Sequence, residues 1–140
     1  MNSKEIYSEA LDLANRSTIA MLGTNNESGY PNIKAMIKKE NEGLKTIWFS
    51  TNTSSKRVKQ IAADPRASVY FVDFDNWMGL MLVGDLEILH DEESRRRLWQ
   101  PGDEKYYPLG VVDDPDYTVM RFTTRSCNYY HGLANLTFEP

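Results

Sequence analysis

The chain has 140 residues, of which 41% are hydrophobic and 26% charged, and its formal net charge is −4. These values fit one globular domain and no apolar run could cross a bilayer, so we expect neither a membrane protein nor a general nucleic-acid binder. The first residues lack an apolar signal segment and Cys127 is the single cysteine, which predicts a cytoplasmic protein without an internal disulfide or a cysteine-based metal cluster.

The first half of the chain predicts an amphipathic helix followed by an antiparallel meander. Apolar residues recur at helical spacing behind a capping Asn2 or Ser3, so we expect a helix over residues 2–16. The strands that we expect next, separated by turn sequences, are residues 17–24, 31–39 and 44–50. A short helix should then begin at Ser54 or Ser55 and end at Asp64, because the residue before a proline avoids helical geometry.

The second half predicts three more strands and another helix. The predicted strands are residues 67–74, 77–89 and 117–124, with an irregular segment over 100–116. Gly79 and Gly84 would allow the long middle strand to bend, as strands of a barrel do. Asp91 begins a helix with charge pairs four residues apart, Glu92 to Arg96 and Glu93 to Arg97, so the arginines at 95–97 predict a solvated, salt-bridged face.

These elements predict the architecture. About six antiparallel strands with about three short helices, and no internal repeat or linker, indicate a single α+β domain over residues 1–140 that is mainly β. A small barrel or a sandwich would satisfy this pattern.

One polar segment, residues 50–57, permits two interpretations. It contains five hydroxyl side chains ahead of Lys56 and Arg57 and leads from a strand into a helix. A helix N-terminus has free backbone N–H groups that bind phosphate, and the cations would add to them. The same pattern is typical of an ordinary capped helix with a solvated basic face. Spacing alone leaves both interpretations open.

Common catalytic signatures are absent from the sequence. It has no GxGxxG, GxSxG or HExxH pattern, and the two histidines, His90 and His131, lack the close spacing of metal ligands. We therefore assign no catalytic residue and no metal site.

Several short motifs together resemble the flavin-binding region of the pyridoxamine 5′-phosphate oxidase-like family. In chain order they are PNIKAMI (31–37), WFSTN (48–52), SKR (55–57), QI (60–61) and DPRA (64–67). Further motifs, GDLE (84–87), LW (98–99), YPLG (107–110) and DP (114–115), resemble the short bacterial general stress protein branch of that family. The resemblance covers nearly the whole chain. It implies a split β-barrel that binds FMN between the two subunits of a homodimer.

The resemblance also implies roles for individual residues. Lys34, Ala35, Met36 and Ile37 would line the flavin from the second strand, and Lys39 matches a lysine that reaches the flavin ring in some members. Ser50, Thr51, Ser55, Lys56 and Arg57 match positions that bind the phosphate and the ribityl chain of FMN. Trp99 and Tyr107 are candidates for covering the cofactor from the partner subunit.

Two departures from the family pattern limit what the resemblance implies about substrate. Members that oxidise pyridoxamine phosphate continue into a basic C-terminal segment, whereas this sequence ends at Pro140, and Gly79 stands where longer members have a glutamine near the flavin. We therefore do not expect pyridoxamine phosphate to be the substrate. An FMN-dependent oxidoreductase that accepts electrons from a nicotinamide or another small molecule is one expectation. The alternative is a non-enzymatic protein that stores or senses a flavin, a deazaflavin or haem.

Overall fold

The computed structural model describes residues 2–140, which form one curled antiparallel sheet and four helices. The helices are α1 (Ser3–Arg16), α2 (Lys56–Ala63), α3 (Glu92–Leu98) and α4 (Gly110–Asp113), with a 3₁₀ turn at Asp103–Lys105. The strands are β1 (Ile19–Asn25), β2 (Pro31–Ile37), β3 (Glu40–Glu42), β4 (Thr46–Asn52), β5 (Arg66–Asp73), β6 (Met78–Leu89), β7 (Tyr117–His131) and β8 (Ala134–Phe138). Within residues 2–140, no helix combines the length and the apolar character needed to cross a membrane.

The sheet curls until its two edge strands come together. The strand order is β2-β1-β5-β6-β7-β4-β3, and β8 pairs with the second half of β7. Lys38 and Lys39 connect the edge strands β2 and β3: the Lys38 N–H donates to Thr18 on one side, and the Lys39 N–H donates to Trp48 of β4 on the other. This arrangement is a split barrel, and it confirms the predicted α+β fold.

The barrel needs a glycine at one point of its longest strand pair. The register between β6 and β7 shifts between Val83 and Gly84. A Cβ atom at Gly84 would lie 2.0 Å from the carbonyl oxygen of Thr123, so only glycine fits without moving the backbone. The prediction that Gly84 allows this strand to bend is consistent with the shift.

Helix α1 packs on the sheet through the face that the sequence predicted. Asn2 caps it, since the Asn2 side chain accepts a hydrogen bond from the Glu5 N–H at 2.9 Å. Its buried residues are Ile6, Ala10, Leu13 and Ala14. The Lys38 ammonium donates to the Ala14 carbonyl at the end of this helix at 2.5 Å. A cation at a helix C-terminus also interacts favourably with the helix dipole.

The structure has two strands that the sequence did not predict. Strand β3 has three polar residues, too few for a period of two to be visible, and β8 follows a part of β7 that was expected to be outside the sheet. Strand β7 continues to His131 rather than ending at Thr124, because β6 and β8 pair with its second half. Pairing with β6 and β8 therefore extends β7 through a polar sequence that does not itself show the alternation of a strand.

Candidate functional site

The first turn of α2 is organised by the hydroxyl-rich segment that precedes it. Ser55 is the N-cap, and its hydroxyl accepts a hydrogen bond from the Arg57 N–H at 3.2 Å. The Asn52 amide donates to the Ser54 hydroxyl at 2.9 Å, which shapes the turn between β4 and the helix. Helix α2 begins at Lys56, one residue after the later of the two predicted starts, Ser54 and Ser55.

A groove of about 650 Å³ lies between β2 and the start of α2. We call it the basic groove, because its charged lining residues are Lys34, Lys56 and Arg57 against the single carboxylate of Glu27. Asn52 and Ser55 also line it, together with Leu22, Thr24, Asn26, Asn32, Ile33 and Gln60. Lys34 lies on β2 and Lys56 on α2, more than twenty residues later in the chain, and the fold brings their positive charges into one groove.

Arg57 differs from most arginines of this chain in having no acidic partner. Its guanidinium is half-buried and donates to the Thr51 hydroxyl at 3.2 Å. Among the ion pairs within residues 2–140, none involves Arg57, Lys34 or Lys56. Burial lowers the pKa of Arg57 from its ordinary value, but an arginine stays charged at neutral pH. A partly desolvated cation without a carboxylate favours an anionic ligand.

A second cavity of about 740 Å³ adjoins the basic groove at Asn52, which lines both. We call it the tyrosine pocket. Strand residues line one part of it and segment 100–116 lines the other. The full lining is Ala35, Met36, Ile37, Lys39, Ser50, Thr51, Asn52, Gln100, Asp103, Tyr106, Tyr107 and Asp116.

The charged residues of the tyrosine pocket are held by neighbouring groups. The Lys39 ammonium lies 3.6 Å from the Asp103 carboxylate and donates to the Gln100 side chain at 3.2 Å. Asp116 accepts a hydrogen bond from the Ser54 N–H at 3.0 Å, just ahead of α2. Asp116 therefore connects segment 100–116 to the turn that also shapes the basic groove.

Tyr107 belongs to a cluster of aromatic rings beside this pocket. Its ring centroid lies 5.0 Å from that of the buried Tyr117, and Trp99 packs edge-on against Tyr117 at 5.1 Å. Burial, and then the charges of Asp116, Asp103 and Asp114, raise the pKa of Tyr107. Like an ordinary tyrosine, Tyr107 is protonated at neutral pH and can donate a hydrogen bond, and the raised pKa extends this to higher pH.

Arg95 holds the segment that carries these side chains. It is buried, and its guanidinium donates to the carbonyls of Val111 at 2.8 Å and Asp114 at 2.7 Å and to that of Tyr117. The prediction of a solvated face is therefore wrong for Arg95. Arg96 does pair with Glu92 at 2.7 Å, as predicted, whereas Arg97 pairs with Glu40 rather than with Glu93.

The two cavities gather all but one of the residues that the family resemblance implied. The basic groove contains Lys34, Ser55, Lys56 and Arg57, and the tyrosine pocket contains Ala35, Met36, Ile37, Lys39, Ser50, Thr51 and Tyr107. Trp99 lines neither cavity and packs in the aromatic cluster of its own chain. Gly79 has no room for a longer side chain, because a Cβ atom there would lie 2.4 Å from both Tyr70 and Tyr130.

Several lining residues were not identified from the sequence. Asn52 stood in the hydroxyl-rich run but was not chosen, although it is the residue shared by the two cavities. Asp103, Tyr106 and Asp116 carry no local signal beyond a polar, irregular segment. Their assignment needs the contacts between that segment and β4, which only the folded chain shows.

Comparisons with known proteins agree with this architecture. The sequence model of the pyridoxamine 5′-phosphate oxidase family matches residues 6–131. A solved protein from Clostridium acetobutylicum, described as related to general stress protein 26 of B. subtilis and as a member of the pyridoxinephosphate oxidase family, is 48% identical over 99% of this chain and 96% of its own, with a TM-score of 0.88. A comparison with curated proteins finds no match.

More distant solved structures share the fold alone. General stress protein 26 from Bacillus anthracis str. Sterne is 16% identical over 96% of this chain and 99% of its own, with a TM-score of 0.77. A heme binding protein from Mycobacterium smegmatis is 19% identical over 96% of this chain and 57% of its own, also with a TM-score of 0.77. Because the family match spans most of the sequence, the chain belongs to the pyridoxamine 5′-phosphate oxidase family, as its motifs predicted.

Proposed function

We propose that this protein binds FMN across the two adjoining cavities and acts as an FMN-dependent oxidoreductase on a small molecule. The observation that carries the proposal is the half-buried Arg57, which has no carboxylate partner within residues 2–140 and lies in one groove with Lys34 and Lys56. Such a set of donors fits the phosphate of FMN.

The residues present suit the different parts of the cofactor. Ser55, Lys56 and Arg57 would hold the phosphate at the start of α2, and Thr51 would orient Arg57 through the hydrogen bond they share. Met36 and Ile37 supply apolar surface for the ring system in the adjoining pocket. When bound, FMN supplies the capacity to accept and release electrons, so the protein is required only to bind, orient and shield it.

A homodimer is part of this proposal. Strand β2 lies at an edge of the sheet, and its Ile33 and Ile37 are 72% and 63% exposed beside the two cavities. Apolar side chains on an open sheet edge favour association with another chain, and a second copy placed there would enclose the cavities.

Titration with FMN tests the binding site. We expect micromolar or tighter binding by the wild-type protein, and a loss of about 1–3 kcal/mol in affinity in Lys56→Ala, because a charge-assisted phosphate contact is removed. Lys59→Ala is the matched control, since Lys59 is an exposed lysine of the same helix that does not line the groove. Failure of the wild-type protein to bind FMN at micromolar concentration would refute the proposal.

Anaerobic reduction tests the catalytic part. Addition of NADH or NADPH to the FMN-loaded protein should bleach the flavin absorption, and admission of an acceptor should restore it. If no donor bleaches the bound flavin, while dithionite does, the oxidoreductase proposal fails and the binding proposal remains.

Binding without catalysis is the second candidate function. The heme binding protein from Mycobacterium smegmatis has the same fold, which favours storage or sensing of a flavin, a deazaflavin or haem as the alternative. Parallel titrations with FMN and haem separate these possibilities. Lys56→Ala should weaken the binding of FMN more than the binding of haem, because the FMN phosphate carries more negative charge than a haem propionate.

A further inference from the structure

The tyrosine pocket has the opposite charge to the basic groove that it adjoins. Lys39 lies within ion-pair distance of Asp103, so these two charges offset each other, whereas Asp116 has no cationic partner within residues 2–140. The pocket is left with an excess of one negative charge. The basic groove has an excess of two positive charges, from three cations and one carboxylate.

The walls of the tyrosine pocket suit a flat organic molecule. Met36 and Ile37 of β2 line the side of the pocket that we assign to the FMN ring, and the rings of Tyr106 and Tyr107 lie on the opposite segment, where a second flat molecule would contact them. Tyr107 cannot readily turn away, because it packs against Tyr117, which Arg95 holds through its backbone carbonyl. The Tyr107 ring in a fixed position favours planar ligands, and the uncompensated carboxylate of Asp116 disfavours anionic ones.

We propose that the tyrosine pocket is the substrate subsite, and that it selects uncharged or cationic aromatic molecules against sulfonated, carboxylated or phosphorylated ones. This inference rests on the proposed FMN site, because the pocket serves a substrate only if the flavin ring lies on the side of Met36 and Ile37 and leaves the side of segment 100–116 free. The carboxylate of Asp116 repels the negative charge of an anionic ligand.

A matched pair of electron acceptors tests the selection. The FMN-loaded protein is reduced stoichiometrically with dithionite without oxygen and then mixed with naphthoquinone or with naphthoquinone sulfonate. Two electrons and two protons pass from the reduced flavin to the quinone, which becomes the hydroquinone while FMN is reoxidised. The two acceptors also differ in reduction potential, so the effect of acceptor charge is taken from the change in the ratio of the two rate constants between variants. A change in flavin potential influences both rates.

Removing a carboxylate should relax this preference. In Asp116→Asn and in Asp103→Asn we expect the sulfonate rate to rise about threefold relative to the neutral quinone, and the gain should shrink in high salt. Asparagine at 116 retains the oxygen that accepts from the Ser54 N–H, so the turn before α2 keeps its hydrogen bond. Asp113→Asn is the control, because Asp113 is an exposed carboxylate of the same segment outside the pocket.

A binding measurement provides a second readout without turnover. In equilibrium dialysis, protonated naphthylmethylamine should be retained more strongly than naphthalene sulfonate by FMN-loaded protein, and Asp116→Asn should narrow the difference. The inference is overturned if the wild-type protein retains naphthalene sulfonate as strongly as naphthylmethylamine or more strongly. It is also overturned if neither Asp116→Asn nor Asp103→Asn changes the ratio of the two quinone rates. The proposal of FMN binding is unaffected by either result. Failure to bind FMN at all would instead refute the proposed function.

Discussion

The basic groove and the tyrosine pocket adjoin at Asn52 but are built in different ways. The basic groove takes its cations from β2 and from the first turn of α2, which backbone hydrogen bonds hold in place. The tyrosine pocket takes its tyrosines and its unpaired carboxylate from segment 100–116, which contains only a 3₁₀ turn and the short α4. The Arg95 side chain holds the end of that segment through the carbonyls of Val111, Asp114 and Tyr117.

This difference has consequences for stability and for ligand binding. A single side chain can disorganise the tyrosine pocket, because most backbone hydrogen bonds of its outer wall are local turns within segment 100–116 and do not connect it to the sheet. Removing one cation of the basic groove should leave the free energy of unfolding nearly unchanged and lower only the affinity for anions. Variants at the two cavities can therefore be separated by measuring unfolding and binding side by side.

The largest effect is expected for Arg95→Ala. Its removal leaves up to three carbonyls of Val111, Asp114 and Tyr117 without their donor, each at about 1–3 kcal/mol, so the free energy of unfolding should fall by about 3–5 kcal/mol. Urea unfolding measures the change. Arg96→Ala, which removes an exposed neighbour paired with Glu92, should alter stability by less than about 0.5 kcal/mol. Similar midpoints for the two variants would contradict the anchoring role of Arg95.

At the basic groove, Arg57→Ala should weaken FMN binding by about 1.5–3 kcal/mol, or about 10- to 150-fold, because a partly desolvated guanidinium makes a strong phosphate contact. Fluorescence titration of FMN provides the measurement. Arg125→Ala is a control that changes the net charge equally, since Arg125 is an exposed arginine outside both cavities. Equal losses in both variants would mean that net charge, and not this site, governs the affinity.

A smaller gain is expected for Glu27→Gln. Glu27 is the one carboxylate that lines the basic groove, so its removal should strengthen FMN binding about two- to threefold at low salt. The gain should disappear as salt screens the charges. Glu139→Gln, at an exposed position outside the groove, should have no effect on FMN affinity. A salt-independent gain would indicate a change of structure rather than of charge.

The smallest effect concerns the titration of Tyr107. Burial and the nearby carboxylates raise its pKa, so Asp116→Asn should lower that pKa toward the ordinary tyrosine value. NMR of tyrosines labelled at the ring carbon that bears the hydroxyl follows this titration, and Tyr107→Phe assigns the signal. Asp113→Asn should leave the titration unchanged, because Asp113 is not among the groups that raise this pKa. If the pKa of Tyr107 is unchanged in Asp116→Asn, the charge of Asp116 does not act on the Tyr107 phenol.

The parts of the site that lie on regular elements were predictable. Ser55 is a helix cap with basic residues directly after it, and that local pattern predicted the start of the helix and permitted an anion site beside an ordinary cap. Lys34 lies on a strand whose flanking turns are evident in the sequence. The family resemblance then associated these residues, and the structure brings them into one groove.

The sequence by itself determined a mainly β domain of the α+β class, the cap of α2 and the positions of the cations around it, because local propensities and periodicity are properties of neighbouring residues. Periodicity left a barrel and a sandwich open, and the family resemblance indicated the split barrel that the structure shows. Only the tertiary structure decided which of the consecutive arginines 95–97 is buried. Successive residues point about 100° apart around a helix, and burial depends on which direction meets segment 110–117. The same contacts place Asp116 beside Tyr107 and give the tyrosine pocket its charge.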